Sequence, residues 1–391
     1  MKRYMIIALA PLFPVFCGAQ VSIDEVLRQV EANNATLKAA SEEMRAETLE
    51  NRGEAILGNP EFDMDYLWES GNPGSTSKEF RVTQSFDLAT VSGMRSSLAK
   101  GKNELSGLSY KAARQEILLT AKLACLDLVY GNAMRNETRE RLERARSLVS
   151  SLERQVEVGG ASVLELNKAK THMMNIRANL ARIDMERQSL LGELRTLNGG
   201  EDVDFDVSSY ELLSFPADFE TCLAEASEKD PSLAYARMAV DVDKKNLSID
   251  KAAWVPEITL GYMSEIHDDT FRGLTLGLSI PLWSNSNKVK QSRARVAASQ
   301  ARETAAAKSY YGEFSRLYQV AAGLKASSES LRVSLVETDN RDLLYTALSK
   351  GEISMVDYLV ETDLYYDALE QTLATERDYH KAMAELKAWE L

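Results

Sequence analysis

The 391-residue sequence has little proline, cysteine or histidine, and each shortage excludes a class of structure or site. Beyond the N-terminal segment the only cysteines are Cys125 and Cys222, whose spacing suggests neither a disulfide nor a metal site. His172, His267 and His380 have no partner at metal-ligand spacing. No glycine-rich phosphate loop and no nucleophile with a base can be found. We therefore expect no enzyme, no cofactor and no metal.

Proline is missing from two long stretches, which predicts long helices there. None occurs between Pro73 and Pro216 or anywhere after Pro281, and proline is most costly inside helices. A helix from about Leu88 to Val156 would be roughly 100 Å long. Apolar residues recur every seven residues along it, and at spacings of three and four after it, interrupted only by Arg187. These coiled-coil seams comprise Val91, Leu98, Leu105, Ala112, Leu119, Leu126 and Ala133, then Leu166, Ala169, Met173, Ile176, Leu180, Ile183, Leu190, Leu194 and Leu197.

The N-terminus predicts secretion. Two basic residues precede an apolar run and then small residues up to Ala19, so we interpret residues 1–19 as a signal peptide. A lipid-anchored stalk held by Cys17 would need a small preceding residue, and Phe16 is large. No other window has 18 uninterrupted apolar residues, so no transmembrane helix is expected.

The net charge argues against two kinds of partner. It is -13, and removing Lys2 and Arg3 with the signal peptide would change it to about -15. Such an acidic chain is a poor partner for nucleic acid and for anionic headgroups. We expect no nucleic-acid binding.

The two halves of the chain repeat one another. A Gly-x-x-Ser-x-x-acid motif occurs once in each half, and other matched pairs are separated by almost the same offset. The period predicts two structural repeats, residues 20–200 and 201–391, with turns at about 157–162 and 349–354. The matched pairs are Gly159 and Gly351, Ser162 and Ser354, Glu165 and Asp357, Leu27 and Leu223, Leu37 and Leu233, Pro60 and Pro256, Ser85 and Ser279, and Leu88 and Leu282.

Each repeat also contains two segments that alternate apolar with polar or small residues, as β-hairpins do. Trp68, Trp254 and Trp283 flank them, which fits a transmembrane β-barrel with an aromatic girdle. A soluble hairpin packed on helices would show the same period. Four strands cannot close a barrel and open edges are not tolerated in lipid, so the membrane interpretation requires several chains. The predicted strands cover about 61–69, 79–87, 257–264 and 272–281.

These features together resemble the TolC family of outer-membrane efflux channels over nearly the whole mature chain. Asn59-Pro-Glu-Phe62, Gln84-Ser-Phe-Asp-Leu88 and the basic Arg95 and Lys100 are similar to the branch that serves heavy-metal exporters. The resemblance implies a mainly α fold with a small β-barrel part, built from two pseudo-repeats of helix, β-hairpin and long coiled-coil helix. It also implies a homotrimer whose twelve strands close an outer-membrane barrel above a periplasmic α-barrel.

The function implied is a passive exit duct in a tripartite efflux system, with divalent metal cations as one candidate cargo. Its partners would be outer-membrane lipid, a periplasmic adaptor (membrane fusion protein) and an inner-membrane efflux pump. The duct would lie in the cell outer membrane and extend into the periplasm. Amphipathic pieces near 22–30 and 219–226 would surround the tunnel as a belt.

In this interpretation the two repeated turns are periplasmic tips. Ser162 with Glu165, and Ser354 with Asp357, have the spacing of a capping box, and the glycines can end the preceding helices. The family implies that acids inside the tips constrict the channel and attract cations. Where it often has a second aspartate, this chain has Val360. The aperture candidates are Glu165, Asp357 and Glu361, and the adaptor-docking candidates are Gly159, Gly160, Ser162, Gly351 and Ser354.

A periplasmic coiled-coil adaptor or scaffold without a pore is the alternative function. Such adaptors also have long helical hairpins, but they carry a β-rich module similar to a biotinyl-lipoyl domain. The strands here are expected as two isolated hairpins, which favours the channel.

Overall fold

A computed structural model describes residues 21–70, 72–267, 269–281 and 287–391 of the chain. The predicted signal peptide and Trp283 lie outside the described residues. The chain forms two compact units, each assembled from segments of both halves. The tip unit comprises residues 21–32, Ala121–Leu212 and Ser330–Arg377, and the sheet unit comprises Asn33–Thr120, Leu213–Glu329 and Asp378–Leu391.

Helices dominate the described residues. The helices are α1 (Ile23–Asn33), α2 (Ala35–Glu54), α3 (Leu88–Val91), α4 (Met94–Glu157), α5 (Val163–Leu197), α6 (Phe219–Lys229), α7 (Pro231–Ala252), α8 (Lys288–Glu337), α9 (Arg341–Ser349) and α10 (Met355–Leu386). The strands are β1 (Glu61–Glu69), β2 (Asn72–Phe86), β3 (Glu257–Ile266) and β4 (Thr270–Ser279). The two predicted belt pieces correspond to α1 and α6.

The long helix predicted from Leu88 begins later, and this expectation was wrong at its first turns. A left-handed glycine, Gly93 with φ 75°, separates the four-residue α3 from the 64-residue α4, because only glycine adopts this conformation without strain. Val91, assigned to the seam, is therefore exposed. In the second half, the predicted turn at about 349–354 implied two helices after Pro281, and the described residues there form three, α8, α9 and α10. Within the described residues, α4 alone is long and apolar enough to cross a membrane, but half of that stretch is buried.

The tip unit has a core of apolar residues from four helices. Leu152 of α4, Ala169 of α5, and Met355 and Tyr358 of α10 are buried together, and Leu348 of α9 packs on them. Ile176 and Ile183 of the predicted α5 seam are also buried. The three-four spacing in α5 thus produced the buried stripe that it predicted.

Arg187, the residue that interrupts the α5 seam, holds an irregular segment against the helices. Its Nε donates to Asn132 Oδ1 at 2.6 Å and its Nη2 to the Phe205 carbonyl at 3.3 Å. Asn132 in turn donates to the Val207 carbonyl at 2.9 Å. Phe205 is fully buried. The polar interruption therefore satisfies backbone carbonyls of residues 201–212, which have no secondary structure of their own.

The sheet unit has an aromatic core and well-capped helices. Phe314, Tyr379 and Met383 are buried with Phe219 packed against them. At the start of α7, Asp230 accepts from the Leu233 backbone N–H at 3.0 Å with Pro231 at the first helical position, an arrangement that both residue types favour. At the start of α2, the matching point of the first repeat, Asn34 accepts from Leu37 in the same way.

The four strands form one antiparallel sheet in the order β1-β2-β3-β4. The expectation of two isolated hairpins was wrong, because β2 pairs with β3 and places Thr83 opposite Gly261. β2 was also expected from about 79, but it already pairs at Thr76 with Trp68 of β1. This polar part of β2 pairs through its backbone, so apolar alternation could not reveal it.

The register determines the two faces of the sheet, since paired residues of antiparallel strands point to the same side. One face is mostly apolar and the other mostly polar or small. The apolar face carries Phe62, Met64, Tyr66, Trp68, Phe80, Val82, Phe86, Ile258, Leu260, Tyr262, Ile266, Leu274, Leu276 and Leu278, together with the polar Thr76, Lys78, Gln84, Ser264, Thr270 and Arg272. The polar face carries Glu61, Asp63, Asp65, Ser77, Glu79, Arg81, Thr83, Ser85, Glu257, Thr259, Gly261, Glu265, Gly273, Thr275, Gly277 and Ser279, with Leu67, Met263 and Phe271.

Candidate functional site

The first predicted tip is a tightly defined turn between α4 and α5. Gly159 has φ 74°, its N–H donates to Val156 O at 3.1 Å, and the Gly160 N–H donates to Gln155 O at 2.7 Å, which is the Schellman pattern. Ser162 then begins α5 with a complete capping box. Its Oγ accepts from the Leu164 N–H at 3.1 Å, and Glu165 Oε2 accepts from the Ser162 N–H at 2.8 Å.

The second predicted tip, between α9 and α10, has the same geometry. Gly351 has φ 74° and donates to Leu348 O at 3.0 Å, while the Glu352 N–H donates to Ala347 O at 2.9 Å. Ser354 Oγ accepts from the Asp357 N–H at 3.1 Å, and Asp357 Oδ2 accepts from the Ser354 N–H at 3.3 Å and its hydroxyl at 2.6 Å. The repeated motif thus produces the same helix reversal twice.

All five predicted docking residues are exposed in these turns. The two turns differ in what surrounds them. Val158, Val163 and Leu164 of the first tip are exposed by 83%, 60% and 63%. The second tip exposes Lys350 and Glu352, with Val356 exposed by 46%. The first tip therefore presents the more apolar rim of the two.

The three aperture candidates do not occupy one place. Asp357 and Glu361 are exposed on α10 four residues apart, so they lie on one face of the helix. Glu165 lies on α5, is half-buried and takes part in the capping box. The structure therefore brings Asp357 and Glu361 together on one helix face and leaves Glu165 apart from them, although Asp357 and Glu165 both make capping contacts.

A nearby acid, Asp363, is half-exposed and contacts mostly buried side chains of α4 and α5. It forms an ion pair with Arg141 of α4, whose guanidinium lies 4.3 Å from the centre of the Tyr366 ring. His172 Nδ1 of α5 is 3.8 Å from the same carboxylate. Burial lowers the pKa of His172, with Asp363 opposing and Arg141 reinforcing the shift, so the imidazole is neutral at neutral pH. Asp363 is committed to interhelix contacts.

A second ionic cluster joins α4 to the start of α9. Arg341 donates to Asp339 at 2.8 Å, contacts Glu137 at 3.4 Å and lies over the Tyr365 ring. The hydrogen bond to Asp339 raises the pKa of Arg341 above its ordinary value, and burial opposes this shift. Asp342 pairs with Arg144 of α4 at 3.0 Å.

Sequence reasoning did not identify these ionic contacts. On α4 the residues concerned, Glu137, Arg141 and Arg144, are spaced by four and three and so share one face. That charged stripe was the signal available in the sequence. Its partners, at 341, 342 and 363, lie in the other half of the chain, and no local pattern connects them to α4.

The apolar face of the sheet is exposed. Leu274, Leu276 and Leu278 of β4 are exposed by 89%, 76% and 62%. Of the predicted interface aromatics, Trp68 is exposed near the β1–β2 turn and Trp254 at the opposite end, just before β3. An apolar surface with aromatics at both ends is typical of a lipid-facing sheet.

The polar face is crowded at its centre. A Cβ atom added to Gly261 would lie 2.7 Å from Thr83 Cγ2 and 2.8 Å from Val82 O, which no larger residue could tolerate. A Cβ at Gly277 would approach Thr259 to 3.3 Å. Glycine at these two positions therefore leaves room for the threonine side chains of the neighbouring strands.

No chemistry-bearing cluster was found in the part of the chain that the structure describes. Histidine, cysteine and acidic side chains nowhere come together there in a group of three that could hold a metal ion. Cys125 and Cys222 are buried free thiols. What the described surface offers is an apolar sheet face and two sharply defined helix turns.

Comparison with known proteins finds sequence relatives and solved structures that are similar to this chain. Residues 222–389 match the family model described as outer membrane efflux protein. The chain is 20% identical over 404 aligned positions to outer membrane protein TolC of Salmonella enteritidis, covering 92% of this chain and 82% of TolC. The Campylobacter jejuni CmeC outer membrane channel matches with a TM-score of 0.75 at 12% identity, covering 100% of this chain and 94% of CmeC. A membrane protein from Pseudomonas aeruginosa matches with a TM-score of 0.74 at 17% identity, covering 98% and 96%. The predicted fold class, mainly α with a small β part, is confirmed.

Proposed function

We propose that this chain, a homologue of TolC that carries an outer membrane efflux protein domain, is the exit duct of a tripartite efflux system. It is an outer-membrane efflux channel that extends into the periplasm, and its relatives are channels rather than enzymes. The homotrimer and its adaptor and pump partners are inferences that go further. The observation that carries them is a four-stranded sheet with one exposed apolar face and two open edges.

The open edges support an assembly of several copies. β1 and β4 stand at the two ends of the sheet order, so each presents unpaired backbone donors and acceptors along one side. Such edges are not tolerated in lipid. Pairing β1 of one copy with β4 of the next satisfies both. Three copies give twelve strands, an even number within the range of outer-membrane barrels.

The faces then have distinct roles in the barrel. The apolar face, with Leu274 and Leu276, contacts the hydrocarbon of the outer membrane. The polar face, where Gly261 and Gly277 permit close packing, lines the water-filled lumen. With two repeats per chain, residues 20–200 and 201–391, three chains arrange six units around one axis.

Trimerisation can be tested on the purified full-length chain. In mild detergent, native mass spectrometry should give three copies, and the trimer should convert to monomer on a gel only after heating. Planar bilayers containing the trimer should show discrete conductance steps. A monomer that forms no pore would instead favour the alternative, a periplasmic adaptor or scaffold without a pore.

We infer that Asp357 and Glu361 form the cation-attracting aperture of the closed channel. Both are exposed on one face of α10 just past the second turn, and three copies would supply six carboxylates. Glu165 is the weaker candidate, because it is half-buried, whereas Asp357 is exposed even though its carboxylate also takes part in a helix cap. Focused negative charge would concentrate cations at the mouth.

Asp357→Asn separates this role from helix capping, because asparagine keeps an oxygen that can accept from Ser354. We expect a lower cation-to-anion permeability ratio in planar bilayers, and a further decrease when Glu361→Gln is added. Asp202→Asn, at an exposed acid outside both tips, is the matched control. Unchanged conductance and permeability in the double variant would exclude the aperture role.

The tips are the proposed adaptor-docking surface. The Gly159, Gly160 and Ser162 turn positions an apolar rim made by Val158, Val163 and Leu164, and the Gly351 and Ser354 turn presents a less apolar counterpart. Exposed apolar residues on a rigid turn suit a protein interface. Val158→Asp should therefore reduce co-purification of the adaptor, whereas Met174→Asp, at an exposed site farther along α5, should not. Equal recovery with both variants would contradict docking at the first tip.

In this proposal the overall charge of the duct selects the cargo, and no specific binding contact is needed. A duct of this kind has no need of a coordination site, and the acids at the second tip favour cationic cargo over anionic. Divalent metal cations are therefore the candidate class to test first. A deletion strain should become sensitive to divalent metals before it becomes sensitive to lipophilic drugs, and the opposite order would redirect the assignment to drugs.

A further inference from the structure

Among the side chains that the structure describes, the apolar face of the sheet carries two charged residues, and both are basic. They are Lys78 on β2 and Arg272 on β4, and both side chains are exposed or half-exposed. The whole chain has 59 acidic and 46 basic residues, so an unselected pair would more often include an acid. Over the same described strands, the opposite face carries six acids and one base, Arg81. The sign of charge therefore follows the face.

Both basic residues lie toward the hairpin end of the sheet. Lys78 is in the same row as Tyr66 and Ile266, close to the turns, and Arg272 is paired with Ser264 two residues nearer the middle. Charged residues on a lipid-facing surface are costly at the bilayer centre and tolerated near its interfaces. If the sheet spans the outer membrane as proposed above, these cations lie at its outward-facing leaflet.

The spacing allows both side chains to act on one ligand. β2 and β4 are two strands apart, and the two residues are offset by two positions, so their Cα atoms are separated by roughly 12 Å from standard sheet spacings. Lysine and arginine side chains are long enough to cover that gap from both sides. The Ser264 hydroxyl lies between them on β3, in the row of Arg272. All three of these side chains can donate hydrogen bonds.

A further contact orients Lys78. Its Nζ lies 5.6 Å from the centre of the Tyr66 ring on the neighbouring strand, within the range of a cation–π interaction. This contact keeps the ammonium at the level of the aromatic residues near the β1–β2 turn. An ammonium and a guanidinium flanking a hydroxyl are the groups that bind phosphate through charge-assisted hydrogen bonds.

We propose that Lys78, Ser264 and Arg272 bind the phosphate of a phosphorylated glycolipid in the outer leaflet, the chemistry of lipid A. The inference rests on the proposed function, because it needs the apolar face to contact the outer membrane. A lipid is favoured over a soluble phosphate because the rest of this face is mostly apolar, so acyl chains beside Leu274 and Tyr262 contribute to binding. The patch fixes the depth of the barrel in the membrane.

Native mass spectrometry of the intact trimer with added lipid A tests the proposal. The double variant Lys78→Gln, Arg272→Gln should bind lipid A about tenfold more weakly than the unmodified chain. Arg81→Gln removes a base on the same strand as Lys78 but on the opposite face, and it should have no effect. Dephosphorylated lipid A should bind the unmodified chain and the double variant equally.

Several outcomes would overturn the proposal. Equal lipid A binding by the double variant, or an equal loss in Arg81→Gln, would show that the face-specific patch is not the site. Phosphatidylglycerol binding as tightly as lipid A would replace the glycolipid with any anionic lipid. Competition by millimolar inorganic phosphate would indicate a soluble anion.

The same samples separate this proposal from the channel function. Conductance steps of the double variant in planar bilayers should match those of the unmodified chain, because neither residue faces the lumen. If the double variant forms pores normally and its lipid A binding does not change, the lipid-binding proposal is wrong and the channel function is still supported. If the unmodified chain forms neither trimer nor pore, the proposed function fails first.

Discussion

The two helix turns of the tip unit have the same backbone conformation, but they are connected to different flanking helices. Both end a helix with a left-handed glycine at φ 74° and begin the next with a serine cap. The first turn continues from α4, an unbroken helix of 64 residues. The second follows the short α9, which is separated from α8 at Thr338–Asn340. The equivalent positions of the first repeat, 146–148, are in mid-helix.

The charged side-chain contacts around the two turns also differ. The second tip is attached to α4 through charges, with Arg341, Asp342 and Asp363 each facing a partner on one stripe of that helix. Near the first tip the charged contact is a half-exposed pair, Glu153 with Lys170 at 2.8 Å. A short segment held by ion pairs can be released without unfolding a long helix. From this difference we expect the second turn to be released from α4 more easily than the first.

Breaking the contact between Arg141 and Asp363 should produce the largest difference in stability between the two tips. Asp363→Ala leaves a mostly buried guanidinium with the Tyr366 ring but without its carboxylate, and a charge-assisted hydrogen bond contributes about 2 kcal/mol. We expect a loss of stability of that order. Hydrogen exchange should accelerate at 341–360 and remain unchanged at 157–166.

The matched control is the pair near the first tip. Glu153→Ala removes an ion pair of two half-exposed side chains, for which a loss below about 1 kcal/mol is expected. Single-channel conductance provides a functional measurement, since a loosened second tip should raise it. Equal exchange rates in both tips after Asp363→Ala would mean that the ionic contacts do not distinguish them.

Substitutions of the left-handed glycines test whether the two turns have the same backbone energetics. Gly159→Ala and Gly351→Ala each force a Cβ into a conformation that costs about 1 kcal/mol or slightly more, and neither has a steric neighbour within 4 Å. The two losses of stability should therefore be equal. Chemical unfolding of each variant measures them.

Gly160→Ala is the internal control, because Gly160 is not left-handed and an added Cβ would meet only ordinary contacts, the nearest at 3.5 Å. It should cost little. A much larger loss in Gly351→Ala than in Gly159→Ala would show that the second tip amplifies local strain, so the turns would not be equivalent even in their backbone.

Much of the fold could be predicted because its signals are local. Proline-free stretches marked the helices, the two-residue period marked β1 and β3 closely, and the glycine-serine-acid motif marked both turns. The start of α4 was missed because a single glycine, Gly93, breaks a pattern that otherwise continues. The pairing of β2 with β3 was missed because it joins strands from different halves of the chain.

The candidate site also has features that could be predicted from the local sequence and features that could not. Ser162 with Glu165 and Ser354 with Asp357 were predicted as caps from spacing alone, and the structure contains both. The fixing of Asp363 to α4 could not be predicted, since its partner, Arg141, is 222 residues away. The three-residue spacing that describes a cap contains no information about which helix packs beside it.

The smallest expected effect concerns pH, and it acts where the two tips meet. His172 belongs to α5 of the first tip and lies 3.8 Å from Asp363 of the second. Burial lowers the pKa of His172 in the folded chain below its unfolded value near 6.5. The unfolded chain therefore binds more protons as pH falls below about 6.5, and folding stability declines there. Above that pH the contribution of this group is fully present.

His172→Gln should remove this part of the acid-induced loss, so the slope of unfolding free energy between pH 7 and pH 5 should become shallower. Met174→Gln, at an exposed neighbour on the same helix that does not titrate, should keep the original slope. Asp363→Ala should steepen it, because the carboxylate is the contact that favours the protonated imidazole. An unchanged slope in His172→Gln would mean that the two tips are coupled by Arg141 alone, and that the histidine only fills space between them.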